Sequence, residues 1–212
     1  MGITERRERE KEQRRNDIID AAEKVFFSKG LKDASMDEVA ENAELSKGTL
    51  YLYFKSKEEL YLAIHLRGNR ILRDMFAKAV STSQSGLEKT RAVGRSYFEY
   101  YQNHPDYFNA MIYYESREID FADNSPVAQQ CLLLGKETLD ILAGVIAEGI
   151  EDGSIRSSVH PIKAAISLWG QSTGIIQIIA LKADIIKHSH QLTAEEIVDY
   201  TFELIYHSLK SE

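Results

Sequence analysis

The stretch SMDEVAENAELSKGTLYLYFKSK, residues 35–57, decides how this chain is read. It opens on Ser35-Met-Asp-Glu38, a capping box: the Ser35 hydroxyl accepts from the Glu38 amide and the Glu38 carboxylate reaches back. Met36, Val39, Ala40 and Ala43 follow at helical spacing. Glu44-Leu45 makes a brief turn, and a second short helix is expected from Ser46 to about Phe54. Leu50 and Phe54, four apart, share its inner face. The opposite face carries Lys47, Gly48 and Leu52, flanked by Thr49, Tyr51 and Tyr53. A helix-turn-helix reader needs such a face. Small residues let the backbone approach a groove, hydroxyls reach phosphate oxygens, and an apolar side chain can meet a thymine methyl. Free amides near Ser46–Thr49 could also hold a phosphate. From 46 to 57 there are three lysines, Lys47, Lys55 and Lys57, and no acid. Capping boxes and apolar stripes are generic, so a helical hairpin packed into a larger bundle without DNA is the plain alternative.

Upstream, Ile18, Ala22, Val25 and Phe26 form one apolar stripe ended by Gly30. The charged run ERREREKEQRR at 5–15 extends that helix into solvent or onto a partner. Downstream, Ser56-Lys-Glu-Glu59 is a second capping box, opening a long helix to about Val80. STSQSG at 81–86 reads as a loop. Residues 87–103 are helical, and His104-Pro105-Asp106 restarts a helix to about Glu115. Residues 116–125 are turn-like. Ser125-Pro126 opens a helix to Asp152-Gly153. His160-Pro161 opens an apolar helix over 161–183, and Thr193-Ala-Glu-Glu196 caps a last one to about Leu209. The fold class is all-α, with about nine helices and no sheet.

The composition of the 212 residues, 43% apolar and 9% aromatic, excludes wholesale disorder. The net charge of −7 argues mildly against a nucleic-acid partner. Its distribution reverses that argument. Residues 1–80 hold 16 basic and 15 acidic side chains, whereas 81–212 hold 10 and 18. One cysteine, Cys131, excludes an intrachain disulfide, points to a reducing compartment and reads as core. The 5–15 run lacks the apolar centre of a signal peptide. The apolar stretch 162–181 is interrupted by Ser167, Gln171, Ser172, Thr173 and Gln177 and reads as a buried helix, not a membrane span.

AAEKVFFSKG at 21–30 and SMDEVAENAELSKGTLYLYFKSKEEL at 35–60 resemble, in type and register, the DNA-binding domain of the TetR family of bacterial transcriptional regulators. The resemblance implies a helix-turn-helix domain over 1–56, with 1–15 as a charged arm. It implies a ligand-binding and dimerisation domain over 57–212, with 57–80 as the linking helix. Lys47, Gly48 and Thr49 would sit at the mouth of the major groove. Tyr51 and Tyr53 would contact phosphates, Leu52 would face base edges, and Lys57 would grip the backbone. Ser35 and Met36 fall where the family also touches phosphate. The implied partners are a double-stranded, near-palindromic operator, a small-molecule effector and a second copy of the chain, with no membrane. The implied role is a ligand-released repressor, cytoplasmic and on the nucleoid when bound.

Six of the eleven tyrosines fall within 97–114. Tyr97, Tyr101, Tyr107, Phe108, Met111 and Tyr114 read either as core or as an aromatic-lined pocket for an apolar or aromatic ligand. Trp169 could wall that pocket or lie at a subunit interface. Gly170 and Gly174, with Ile197, Tyr200, Thr201, Leu204, Ile205 and Ser208, suggest a two-fold four-helix interface or close packing within one subunit. His188 and His190 read as a solvated loop. No histidine has Glu three residues before it, so a carboxylate-bridged di-iron bundle fails. No phosphate loop or nucleophile motif appears. The expectation is no enzyme, no cofactor and no metal. The competing reading is a helical binding protein or small-molecule enzyme whose N-terminal bundle is only structural.

Overall fold

A computed structural model describes residues 2–81, 85–115 and 126–211. The expected turn over 116–125, with the Ser125 cap, lies outside the described residues, as do 82–84. Among the described residues there are nine helices and no strand. In order they are α1 (Ile3–Asp33), α2 (Met36–Asn42), α3 (Lys47–Tyr53), α4 (Lys57–Val80), α5 (Gly86–Asn103), α6 (Pro105–Glu115), α7 (Pro126–Glu151), α8 (Pro161–His190) and α9 (Ala194–Leu209). An isolated bridge joins Ile155 to Lys210.

The elements end where local chemistry ends them. Ser35 Oγ accepts from the Glu38 amide while Glu38 accepts from the Ser35 amide, and Thr193 and Glu196 do the same for α9. The box expected at 56–59 forms by half. Ser56 Oγ accepts from the Glu59 amide, but the Glu59 carboxylate takes the amide of Lys55 instead. Gly30 breaks α1 with φ 77° and ψ 159°, a region essentially closed to residues with a Cβ.

Two compact units divide the chain: Met1–Gly68 with Asp106–Cys131, and Asn69–Pro105 with Leu132–Glu212. The division falls inside α4 rather than at residue 57, and α6 groups with the N-terminal helices. In the first unit Ile18, Ala22, Val25 and Phe26 share one core with Val39, Ala40, Leu50, Phe54, Leu60 and Ile64. Arg67 pairs with Asp20 at 2.6 Å and Glu23 at 2.9 Å, and the Tyr107 hydroxyl donates to Glu23 at 2.7 Å. That network ties α1, α4 and α6 together. Burial pushes the Glu23 carboxyl up against the opposing pull of Tyr107 and Arg67, and burial with Glu23 pushes the Tyr107 hydroxyl up to about 12. Cys131 is buried there, as expected.

In the second unit α5 packs closely on α7 and α9. A Cβ on Gly86 would lie 2.0 Å from the Gly149 nitrogen, so the helices cross backbone to backbone. Val198, Phe202 and Leu209 form the buried face of α9. The Tyr97 hydroxyl bonds that of Thr173 at 2.9 Å.

Two expectations for α8 are corrected. It runs to His190, since no breaker intervenes before Gln191 caps it in the left-handed region at φ 59°. His188 and His190 therefore sit in its last turn, where cations complement the helix dipole, not in a loop. Nor is it a buried helix. Ala165, Leu168, Ile176 and Ile179 are buried, while Ile166, Trp169, Ile178, Leu181 and Ile185 are exposed within the chain. By length and composition alone it could cross a membrane.

Candidate nucleic-acid interface

The first unit presents α3 on its surface. Ser46 caps it, accepting from the Thr49 amide at 3.1 Å and bonding the Thr49 hydroxyl at 2.8 Å. Leu50 and Phe54 are fully buried, which seats the helix on α1 and α2 and turns its other side outward. Burying one such side chain stabilises by roughly 1.5–3 kcal/mol, enough to fix the facing of a seven-residue helix that could not persist alone.

On the outer side Leu52 is 75% exposed. Lys47 and Gly48 are exposed and Thr49 is half-buried. Tyr51 and Tyr53 pack partly against the core. A Cβ on Gly48 would have only Ser46 Oγ within 4 Å, at 3.9 Å. The fold itself places no steric demand for glycine there.

Three expected contacts look different in space. Met36 is buried in the core, because its position on α2 is the inward one, so its side chain is not on the surface. Its backbone amide is one of the first-turn amides that have no intrahelical partner. Lys57 turns inward: its Nζ donates to the carbonyls of Ala34 at 2.9 Å and Lys32 at 3.3 Å, closing the C-terminal end of α1. Lys47 donates to Asp37 at 2.6 Å, and that hydrogen bond to the carboxylate raises the Lys47 pKa. Asp37 is a residue that sequence spacing does not single out. Arg15 is another: its guanidinium lies 4.8 Å over the Phe54 ring, at the C-cap of α3.

The aromatic residues of 97–114 divide between the two units. Tyr97 is buried and Tyr101 half-buried in the second. In the first, Phe108 and Met111 are buried, Tyr107 is engaged with Glu23, and Tyr114 stacks on His65 at 4.2 Å. Trp169 is 40% exposed on α8. A groove of about 630 Å³ between α5 and α9 is lined instead by Arg91, Arg95, Asp199 and Glu203, among others. A Cβ on Gly170 or on Gly174 would meet nothing within 4 Å, so neither glycine serves packing within the chain. On α9, Tyr200, Leu204 and Ser208 are exposed, and Ile197, Thr201 and Ile205 half-buried.

Comparison with known proteins places the helical arrangement in a family. A family model described as bacterial regulatory proteins, tetR family, matches residues 18–64. The HTH-type transcriptional regulator YhgD of Bacillus subtilis is 30% identical over 154 residues, 71% of this chain and 76% of that protein. The HTH-type transcriptional activator FasR of Mycolicibacterium smegmatis is 28% identical over 137 residues, 65% of this chain. The match spans 60% of FasR, less than two thirds of its length. The crystal structure of FadR from Bacillus subtilis, in complex with stearoyl-CoA, superposes with a TM-score of 0.70. It covers 90% of this chain and 96% of that one at 20% identity, which shows a shared fold. The match to residues 18–64 takes in all of α2 and α3 and the parts of α1 and α4 that share their core. With a relative at 30% identity over most of its own length, this chain belongs to the tetR family of bacterial regulatory proteins, DNA-binding transcriptional regulators and not enzymes.

Proposed function

We propose that the chain is a homodimeric, ligand-released repressor in which residues 1–56 bind DNA and 57–212 bind the effector and the second subunit. The observation that carries the DNA reading is the exposed α3 face with a sterically unrequired glycine at 48. Gly48 lets the helix backbone approach the major groove, Leu52 meets thymine methyls, and Thr49, Tyr51 and Tyr53 bond phosphates. Ser35 and the Met36 amide add a phosphate contact at the start of α2. Lys47 contributes once it leaves Asp37, and Lys57 supports the interface mainly by holding the end of α1.

The dimer reading rests on α8 and α9. Gly170 and Gly174 face open space, and the outer stripe Tyr200, Leu204 and Ser208 lies opposite the buried Val198 and Phe202. Small residues that serve no internal packing allow a second helix pair to approach. Trp169, exposed beside them, joins this surface more readily than an enclosed pocket. Two recognition helices then stand one helical turn of DNA apart, roughly 34–36 Å, or farther on a longer operator.

For the effector, the aromatic composition of 97–114 supports an apolar or aromatic molecule. The ligand held by FadR has an apolar acyl chain, which fits that class. Because α4 runs unbroken from the first compact unit into the second, an effector that prefers one conformation can change half-site spacing through it. A gel-shift titration against the DNA upstream of its own gene, paired with a reporter fused to that promoter, tests this. Specific binding with raised reporter output on deletion of the gene supports repression. Lowered output would make it an activator, as FasR is named. No specific shift at low salt sinks the reading.

A further inference from the structure

The groove of about 630 Å³ between α5 and α9 lies wholly within the second unit and shares no lining residue with the aromatic run of 97–114. Its volume is that of a small-molecule site, roughly 300–1,000 Å³. Phe202 sets how closely the two helices approach beside it. A Cβ on Gly94 would lie 2.6 Å from the Phe202 ring, so only glycine lets α5 come that near to α9. Arg95 is held in place twice: it donates to Asp199 at 2.8 Å, and its guanidinium lies 5.7 Å over the Phe202 ring.

The two walls carry opposite signs. Arg91 and Arg95, four apart, line the groove from α5, and Glu196, Asp199 and Glu203, at i, i+3 and i+7, line it from α9. The nearest acids on α5, Glu88 and Glu99, are not among the lining residues. Arg95 and Asp199 cancel each other. What remains is a cation, Arg91, on one wall and two carboxylates, Glu196 and Glu203, on the other. Glu196 is kept ionised, because the Thr193 amide and hydroxyl bond its carboxylate and lower its pKa. Glu203 lies 3.9 Å from His207 on its own helix. Tyr200 and Tyr206 supply the aromatic surface, and the Tyr206 ring already takes the Lys210 ammonium at 5.7 Å. A neutral ligand would leave the charges of both walls unmatched. A simple anion or a simple cation would meet one wall of its own sign. A molecule that carries both charges satisfies both walls.

We propose that this groove binds a small zwitterion with an aromatic body, an aromatic α-amino acid being the simplest. The carboxylate pairs with Arg91, the ammonium with Glu203 and Glu196, and the side chain lies against Tyr200 and Tyr206. Solvent-exposed charge pairs are individually weak, so the dissociation constant falls near about 1 mM. The site owes nothing to the α3 reading or to an effector among the residues of 97–114. Tyr200 is shared with the stripe given to the second subunit, whereas Arg91 and Glu203 are not.

The test uses the full chain and four probes: L-phenylalanine, glycine, N-acetyl-L-phenylalanine, which lacks the cation, and L-phenylalaninamide, which lacks the anion. Binding is followed by ligand-observed NMR up to about 10 mM for the wild type, Arg91→Gln and Glu203→Gln. Circular dichroism confirms that both variants keep the helical fold. The wild type should bind L-phenylalanine saturably, glycine more weakly, and each blocked derivative about tenfold more weakly. Arg91→Gln should bind L-phenylalanine and its amide alike while still rejecting the N-acetyl form. Glu203→Gln should do the reverse. A merely structural role for either side chain would not exchange these preferences. No saturable binding of L-phenylalanine by the wild type overturns the inference. Binding with wild-type preferences in both variants also overturns it, because the ligand then sits elsewhere on the chain. Neither outcome touches the reading of α3, which the gel-shift titration tests separately.

Discussion

Asp37 and Lys47 meet at 2.6 Å on the surface of the first unit, and the pair sets an anion beside a solvent-exposed cation. An exposed pair of this kind contributes little to stability, about 0–1 kcal/mol. Its effect on DNA binding is larger in kind, because Asp37 repels phosphate and occupies the cation that would attract it. Asp37→Asn should leave the melting temperature nearly unchanged and tighten DNA binding by up to about fivefold at low salt, read by anisotropy. Gly48→Ala separates fold from function in the opposite way. Alanine in an exposed helical position should stabilise the fold by up to about 1 kcal/mol, while the added methyl holds the backbone off the groove and weakens binding about tenfold. Urea melts and anisotropy on one preparation would show both signs.

His65 supplies a pH dependence. It is buried, with its ring on that of Tyr114, and burial pushes its pKa down from 6.5 to about 4. Between those values the unfolded chain binds a proton that the folded chain refuses. Its contribution is thus fully present above about pH 6.5 and is lost as pH falls towards 4. By pH 5 the loss amounts to about 2 kcal/mol. His65→Phe, which keeps a ring on Tyr114, should flatten that part of the stability profile in urea melts between pH 7 and 5. An unchanged slope would mean the imidazole is not the group responsible.

At the level of elements, boundaries followed from short-range chemistry and were readable wherever that chemistry was complete. The boxes at 35–38 and 193–196 form as their spacing requires, and Gly30 ends the regular part of α1. Gly30→Ala should cost about 1–3 kcal/mol by urea denaturation, because its backbone sits where a Cβ clashes. Longer-range choices were not readable. Glu59 turns to Lys55, and Lys57 reaches back across more than twenty residues to the end of α1. Met36 carried two readings in sequence, core stripe and phosphate contact, and packing decided for the core. Gly86 read as the end of a loop, yet it lets two helix backbones touch. Such partners are set by tertiary geometry, which periodicity does not encode.

Over the whole molecule, the helix-turn-helix fold was legible because about forty consecutive residues build it, whereas a ligand pocket would draw on separate helices. Tyr97 and Tyr107 are ten apart in sequence but belong to different compact units. The aromatic run therefore says what kind of surface is available without saying which residues share it. For α8 the error had one cause: a stripe of apolar residues looks the same whether its own chain or another copy covers it. Leu181, 76% exposed, belongs to the part its own chain leaves open. Gly174→Glu should convert the protein to a folded monomer in sedimentation and reduce operator affinity by losing one of two half-sites. A dimer that persists would place the interface elsewhere.

The buried thiol of Cys131 lies 3.8 Å from the Leu62 carbonyl, at the start of α7 and against α4. Because no other cysteine exists in the chain, that sulfur is an intrinsic clock for local opening. Its rate of reaction with a thiol reagent reports how often α7 lifts from α4, without any engineered label. The rate should be slow in the native protein and rise sharply in urea. A compound that acts through α4 should change it at concentrations that change DNA binding, whereas one that merely blocks the α3 surface should leave it unaltered.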